Sequence, residues 1–162
     1  MADAPRYALQ DLFGPGRPEF TEHIPHCKRI GMQVVHTGPR EATVRLPWRD
    51  ELVGDPQRGV VFGGVITTLL DHASGLAAAC SLEELKPIAT LDLRINYLRA
   101  AKPKHDLTGR VECYKVTRHV AFVRGAAWDE SPDDPFATVV ATMMIGAHDQ
   151  PSPMMRRALG VE

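Results

Sequence analysis

Residues 59–80 read Gly59-Val60-Val61-Phe62-Gly63-Gly64-Val65-Ile66-Thr67-Thr68-Leu69-Leu70-Asp71-His72-Ala73-Ser74-Gly75-Leu76-Ala77-Ala78-Ala79-Cys80. Glycines crowd the front of this stretch, then neither glycine nor proline recurs until Gly75. Val65, Leu69, Leu70, Ala73, Leu76, Ala77 and Cys80 fall at three- and four-residue steps, the spacing of one face of a helix meant to be buried. A carboxylate, Asp71, sits inside the apolar run. Gly63 and Gly64 lack side chains where the first unpaired amides of such a helix point outward. A carbonyl oxygen can approach the backbone closely there and meet the positive end of the helix dipole.

Strand patterns flank this helix on both sides. Before it, Met32 to Val35 and Ala42 to Leu46 surround the turn Thr37-Gly38-Pro39-Arg40, with Ala42, Val44 and Leu46 alternating against Thr43 and Arg45, which predicts a hairpin. A short helix over Glu19 to Arg29 is expected to be interrupted at Pro25 and ended by Gly31. Pro47 to Arg58 reads as a polar loop. After the helix, Leu91, Leu93, Ile95 and Tyr97 alternate with Asp92, Arg94, Asn96 and Leu98, which predicts one core face and one polar face. Strands from Leu107 to about Val116, Val120 to Trp128 and Phe136 to Gly146 complete an antiparallel meander. One long apolar helix among five or six strands must pack across one face of a curved sheet, so the expected class is α+β.

The 162 residues suit one domain, and 44% apolar with 24% charged residues is the mix of a globular protein. We expect a loosely ordered lead-in over 1–18, where Pro5, Gly14, Pro15, Gly16 and Pro18 crowd together, one domain over 19–150, and a tail over 151–162. A net charge of −1 gives no bulk reason for a nucleic-acid or anionic-membrane partner. Cys27, Cys80 and Cys113 form no CxxC pair, which suggests free thiols in a reducing cytoplasm. The N-terminal residues lack the apolar segment of an export signal, and no window approaches the length of a membrane span. The seven histidines show no metal-site spacing, and the proximity of Cys27 to His23 and His26 is set aside, so neither metal nor cofactor is expected.

With these features together, the chain resembles the hotdog-fold acyl-CoA thioesterases, in the branch of the phenylacetic-acid-degradation thioesterase. In that branch a His-Gly-Gly opens the central helix and an acid follows seven residues after the second glycine. Phe62-Gly63-Gly64 is followed by Asp71 at that spacing. Thr90-Leu91-Asp92-Leu93-Arg94-Ile95-Asn96-Tyr97-Leu98-Arg99-Ala100-Ala101 is similar to the family strand after the helix, with Thr90 in the place of an active-site Ser or Thr. Two residues depart from the pattern. Phe62 replaces the histidine, and Pro56 stands where an asparagine is usual, with Asp55 next to it as a substitute after a local shift.

The resemblance implies a hotdog fold, an acyl-CoA substrate, a homodimer or dimer of dimers, and site residues. The amide of Gly63 or Gly64 would polarise the thioester carbonyl, Asp71 would act as base or nucleophile, and Thr90 would hold water. Phe62, Val61 and Leu70 would line an acyl slot, and Arg94 and Arg118, among the cations Arg99, Lys102 and Lys104, would meet the CoA phosphates. Seven residues at about 1.5 Å each put Gly64 and Asp71 roughly 10 Å apart along one helix. One carbonyl is then served more readily by the amides of one subunit and the aspartate of another. His72 points about 100° away from Asp71 and reads as structural, and Ser74 is expected to bond its own helix backbone. The rival reading is a non-catalytic hotdog protein that binds acyl-CoA or a related ligand. A hotdog hydratase ranks lower, because an Asp-x4-His pairing is absent around the helix.

Overall fold

A computed structural model describes residues 9–17 and 19–147. The part of the lead-in that it describes is more ordered than the proline and glycine density suggests. Leu9–Phe13 forms a helical turn (α1) that buries the Phe13 ring in the core, and the Thr37 hydroxyl donates to the Gln10 carbonyl at 2.8 Å. An aromatic side chain placed to reach the core outweighs the local breakers around it. Glu19–Glu22 (α2) and Pro25–Ile30 (α3) follow, with Pro25 opening α3 rather than breaking a longer helix, since its missing N–H is unpaired at that position anyway. Gly31, at φ 76°, ends α3 in the left-handed conformation. The tail expected over 151–162 lies outside the described residues.

Gln33–Gly38 (β1) and Glu41–Leu46 (β2) form the expected hairpin. The loop after it is not featureless. Val53–Asp55 (β3) and Val60–Val61 (β4) pair as a small separate sheet. Gly63–Ala79 is the long helix α4, and Ile88–Tyr97 (β5), Leu107–Val116 (β6), Val120–Trp128 (β7) and Ala137–Ile145 (β8) follow. The main sheet is antiparallel with six strands in the order β1-β2-β6-β7-β8-β5. It is the α+β hotdog arrangement, with a sheet around one central helix.

The helix runs between the β1–β2 hairpin and β5, which occupy opposite ends of the strand order, so it crosses beneath the sheet and touches all six strands. Ile66, Leu69, Leu70, Ala73, Leu76 and Ala77 carry its buried face. Each large aliphatic among them contributes about 1.5–3 kcal/mol by leaving water. Small residues opposite, Ala42, Ala121, Ala127 and Ala141, let helix and sheet approach. At Gly109 an added Cβ would stand 3.3 Å from Leu69 Cγ, a tight contact that brings helix and strand close together here.

Candidate active site

The N-terminus of α4 is built from the small sheet. The Phe62 amide donates to the Leu52 carbonyl at 2.9 Å, which sets the angle at which the chain enters the helix. Phe62 is the N-cap, and its side chain makes no capping bond. The amides of Gly63 and Gly64 belong to the first helical turn, whose N–H groups the helix itself does not pair. The Phe62 ring lies directly over Gly64, where a Cβ would stand 2.5 Å from Phe62 Cε1, and the ring is 61% exposed on its other side. A side chain at Gly64 would have to swing this exposed ring aside, so the ring and the glycine share one position over the backbone.

Two turns along the helix, Asp71 meets β5. The Thr90 hydroxyl donates to Asp71 Oδ1 at 2.8 Å. A bulge between Thr90 and Asp92 shifts the pairing of β5 with β8 and re-aims the strand where Thr90 leaves it. Thr90 spends its only proton on Asp71, so it orients the carboxylate first and leaves Oδ2 available for a reacting group. Its remaining lone pairs can still accept a proton from water.

The other polar groups near Asp71 are quiet. His72 Nε2 lies 3.3 Å from Thr21 Oγ1 on α2, turned away from Asp71 as helix geometry requires. Burial pushes its pKa down to about 4, so the imidazole is neutral near pH 7. The Cys27 thiol on α3 is held above its ordinary range, mainly by burial and then by the Asp71 carboxylate, and stays protonated. Ser74 departs from expectation. It is fully buried and its Oγ has no partner among the described residues, so the bond to its own backbone is not made.

Several side chains expected at the site stand elsewhere. Val61 and Leu70 are buried in the core, 4% and 0% exposed, and line no open slot in the protomer. Their apolar character is spent on the sheet side of the helix and the small hairpin. Asp55 caps its own loop, accepting from the Gln57 and Arg58 amides at 3.1 and 3.3 Å. Arg99 and Lys102 are paired with Asp129 and Glu130. Arg118 lines a cavity with Lys86 and Ser81, just past the C-terminal end of α4 and far from its glycines. Arg94 is exposed on β5 with no ion-pair partner among the described residues.

Tyr97 belongs to the site although the alternation of β5 assigns it to the core face. Expected to face the core with Leu91, it is 51% exposed, Leu91 is 55% exposed, and the Tyr97 hydroxyl reaches the Gly63 carbonyl at 3.1 Å. A phenol on an otherwise aliphatic face was the available signal, because its hydroxyl must find a partner or water. A groove of about 630 Å³, lined by Arg110, Arg124, Trp128 and Val140 among others, takes no residue from α4 and is a separate feature of the sheet.

The sequence profile of the thioesterase superfamily matches residues 58–136, a span that includes both glycines, Asp71, Thr90 and Tyr97. A Halobacterium salinarum protein provisionally named an esterase is 37% identical over 78 residues, covering 45% of this chain and 50% of the relative, so the chain matches about half of that protein's length. The medium/long-chain acyl-CoA thioesterase YigI of Escherichia coli is 26% identical over 140 residues, covering 78% of this chain and 89% of YigI. Among solved structures, a Pseudomonas aeruginosa protein superposes with a TM-score of 0.73 at 38% identity, covering 84% of this chain and 98% of the other. A mutant of the phenylacetic acid degradation protein PaaI from Thermus thermophilus superposes with a TM-score of 0.65 at 25% identity, covering 74% and 97%.

Proposed function

The chain belongs to the thioesterase superfamily, and from that membership we propose that it hydrolyses an acyl-CoA thioester at a site shared between two copies of itself. The observation that carries this reading is the Thr90–Asp71 hydrogen bond, which holds a carboxylate on the central helix with one oxygen left for chemistry. In the water route, Asp71 Oδ2 takes a proton as the water oxygen bonds to the thioester carbonyl carbon. The carbonyl oxygen becomes an oxyanion against the Gly63 and Gly64 amides of the other subunit, then collapse breaks the C–S bond and the CoA thiolate leaves with a proton. In the alternative route Oδ2 attacks the same carbon, and water then hydrolyses the mixed anhydride.

Several features support a shared site. Gly64 and Asp71 lie about 10 Å apart on one helix, too far to serve one carbonyl together. β5 is an edge strand of ten residues, and Leu91 and Tyr97 on it and Leu98 just past its end are exposed. A long edge with apolar side chains is suited to pairing with a second copy. Arg94, four residues past Thr90, is free to meet a CoA phosphate, and the exposed side of the Phe62 ring offers an apolar wall for the acyl or pantetheine chain. None of the described helices is long and apolar enough to cross a membrane.

Phe62 also favours a second reading, an acyl-CoA binder without turnover, because a phenyl ring stands where the family carries a histidine. Release of free thiol from short-chain, long-chain and aromatic acyl-CoAs by the wild type and Asp71→Asn separates the two. We expect turnover on part of the panel and a loss of at least about 100-fold in the variant. Binding without turnover on every ester would make the chain a binding protein.

A further inference from the structure

We propose that Tyr97 and Thr67 are positioning residues that orient and polarise the Gly63–Gly64 peptide so that its N–H can act as the oxyanion donor, an inference that rests on the thioesterase reading above. The Gly63 carbonyl and the Gly64 N–H are the two ends of one planar group. The Tyr97 hydroxyl donates to that carbonyl at 3.1 Å, the Thr67 hydroxyl donates to it at 3.1 Å, and the two hydroxyl oxygens lie 3.4 Å apart. Proton donation at the oxygen draws density from the amide nitrogen and makes the opposite N–H a stronger donor.

The same contacts answer a mechanical need. Paired glycines give a ligand close access to the backbone, and they also remove the steric limits that would hold a peptide plane in place. A donor whose direction wanders stabilises an oxyanion poorly, because such sites work by being oriented before charge develops. The helix already pairs the Gly63 carbonyl with the Thr67 N–H, and the two hydroxyls add a side-chain hold on the same oxygen. The next peptide is held in a parallel way: the Thr68 hydroxyl donates to the Gly64 carbonyl at 3.0 Å and lies 3.4 Å from His26 Nε2 on α3. Adjacent threonines thus hold adjacent carbonyls, one braced from β5 and the other from α3.

A helical threonine bonding the carbonyl four residues back is common, and alone it would be unremarkable. Tyr97 makes the arrangement specific. It is half exposed, with water available to its hydroxyl, yet that hydroxyl is aimed at the carbonyl whose peptide carries the Gly64 N–H, one of the two proposed donors. It also stands on the strand that brings Thr90 to Asp71. One strand therefore registers both the carboxylate and the amide.

Steady-state hydrolysis of an acyl-CoA by wild type, Tyr97→Phe, Thr67→Val and Thr67→Ser, together with the Gly64 amide proton resonance in each, tests the proposal. We expect kcat to fall about 5–30-fold in Tyr97→Phe and Thr67→Val with KM within about twofold, recovery in Thr67→Ser, and an upfield move of the Gly64 amide proton in the two impaired variants. Wild-type kcat in both variants overturns the proposal, as do a rise in KM alone, an unmoved Gly64 resonance, or equal loss in Thr67→Ser. Thr67→Val carries the test if Tyr97→Phe fails to fold. A wild type without turnover on any acyl-CoA overturns the thioesterase reading and this proposal together, whereas active wild type with unaffected variants overturns this proposal alone.

Discussion

His72 shows how a neighbour of the site acts on stability rather than chemistry. Its imidazole is neutral in the fold, with a pKa pushed down to about 4 by burial, against an ordinary value near 6.5. Between those values the unfolded chain binds a proton that the folded chain does not. The stability contributed by the neutral ring is therefore fully present above about pH 6.5 and is lost as pH falls toward 4, by up to about 3 kcal/mol. Thermal unfolding followed from pH 7 to 4 is expected to show a falling midpoint in the wild type and a flatter profile in His72→Gln. Asp71 was legible as the acid of interest, since a lone carboxylate inside an apolar helix calls for a reason. The family resemblance places Thr90 at the site only as a holder of water, and its bond to Asp71, nineteen residues back, was not legible because strand register decides that contact. The isolation of the Ser74 hydroxyl was not legible at all, since backbone and solvent partners look alike until packing closes around the group.

At the scale of elements, the loop between β7 and β8 is tied to the end of β5 by charge. Arg99 donates to both oxygens of Asp129 at 2.7 and 2.8 Å, and the Lys102 and Glu130 amides donate to the same carboxylate. These partners, Arg99 first, hold the Asp129 carboxyl well below the usual carboxylate range. Asp129 has no exposed side-chain surface while Arg99 keeps 26% exposure and a second contact to Asp134. Loss of the carboxylate therefore leaves a cation partly solvated, which places the cost below that of a fully buried pair. Asp129→Ala is expected to lower stability by about 2 kcal/mol, read as a shift of the denaturant midpoint with an unchanged slope. From sequence, the stretch holding Asp129 read only as an acidic turn and Arg99 only as one of several basic residues. The bulge in β5 was hidden for the same reason. Alternation over 91–97 suggested one continuous core face, yet the extra residue at Leu91 and the strand's place at the sheet edge leave that face partly open.

For the whole molecule, the distance between glycines and aspartate on one helix makes subunit complementation the decisive experiment. When Asp71→Asn and Gly64→Val subunits are co-assembled, a shared site leaves each mixed dimer with one intact site and one doubly damaged site. We expect the mixture to recover activity that neither variant shows alone, up to roughly half the wild-type turnover per mixed dimer. Recovery absent from dimers verified as mixed would place both groups in one protomer and sink the shared site. The sequence by itself determined the helix over 63–79, the carboxylate inside it and the strands after it, because periods of 3.6 and 2 are local consequences of backbone geometry. The expected meander holds only for β6 to β8, since β5 pairs with β8 at the sheet edge and not with β6. Only the tertiary structure decided which polar groups meet. Thr90 with Asp71, Tyr97 with Gly63, and Val61 and Leu70 withdrawn into the core all depend on strand order and on a helix crossing beneath six strands. Such contacts join residues far apart in the chain, and no local pattern encodes the closure that brings them together.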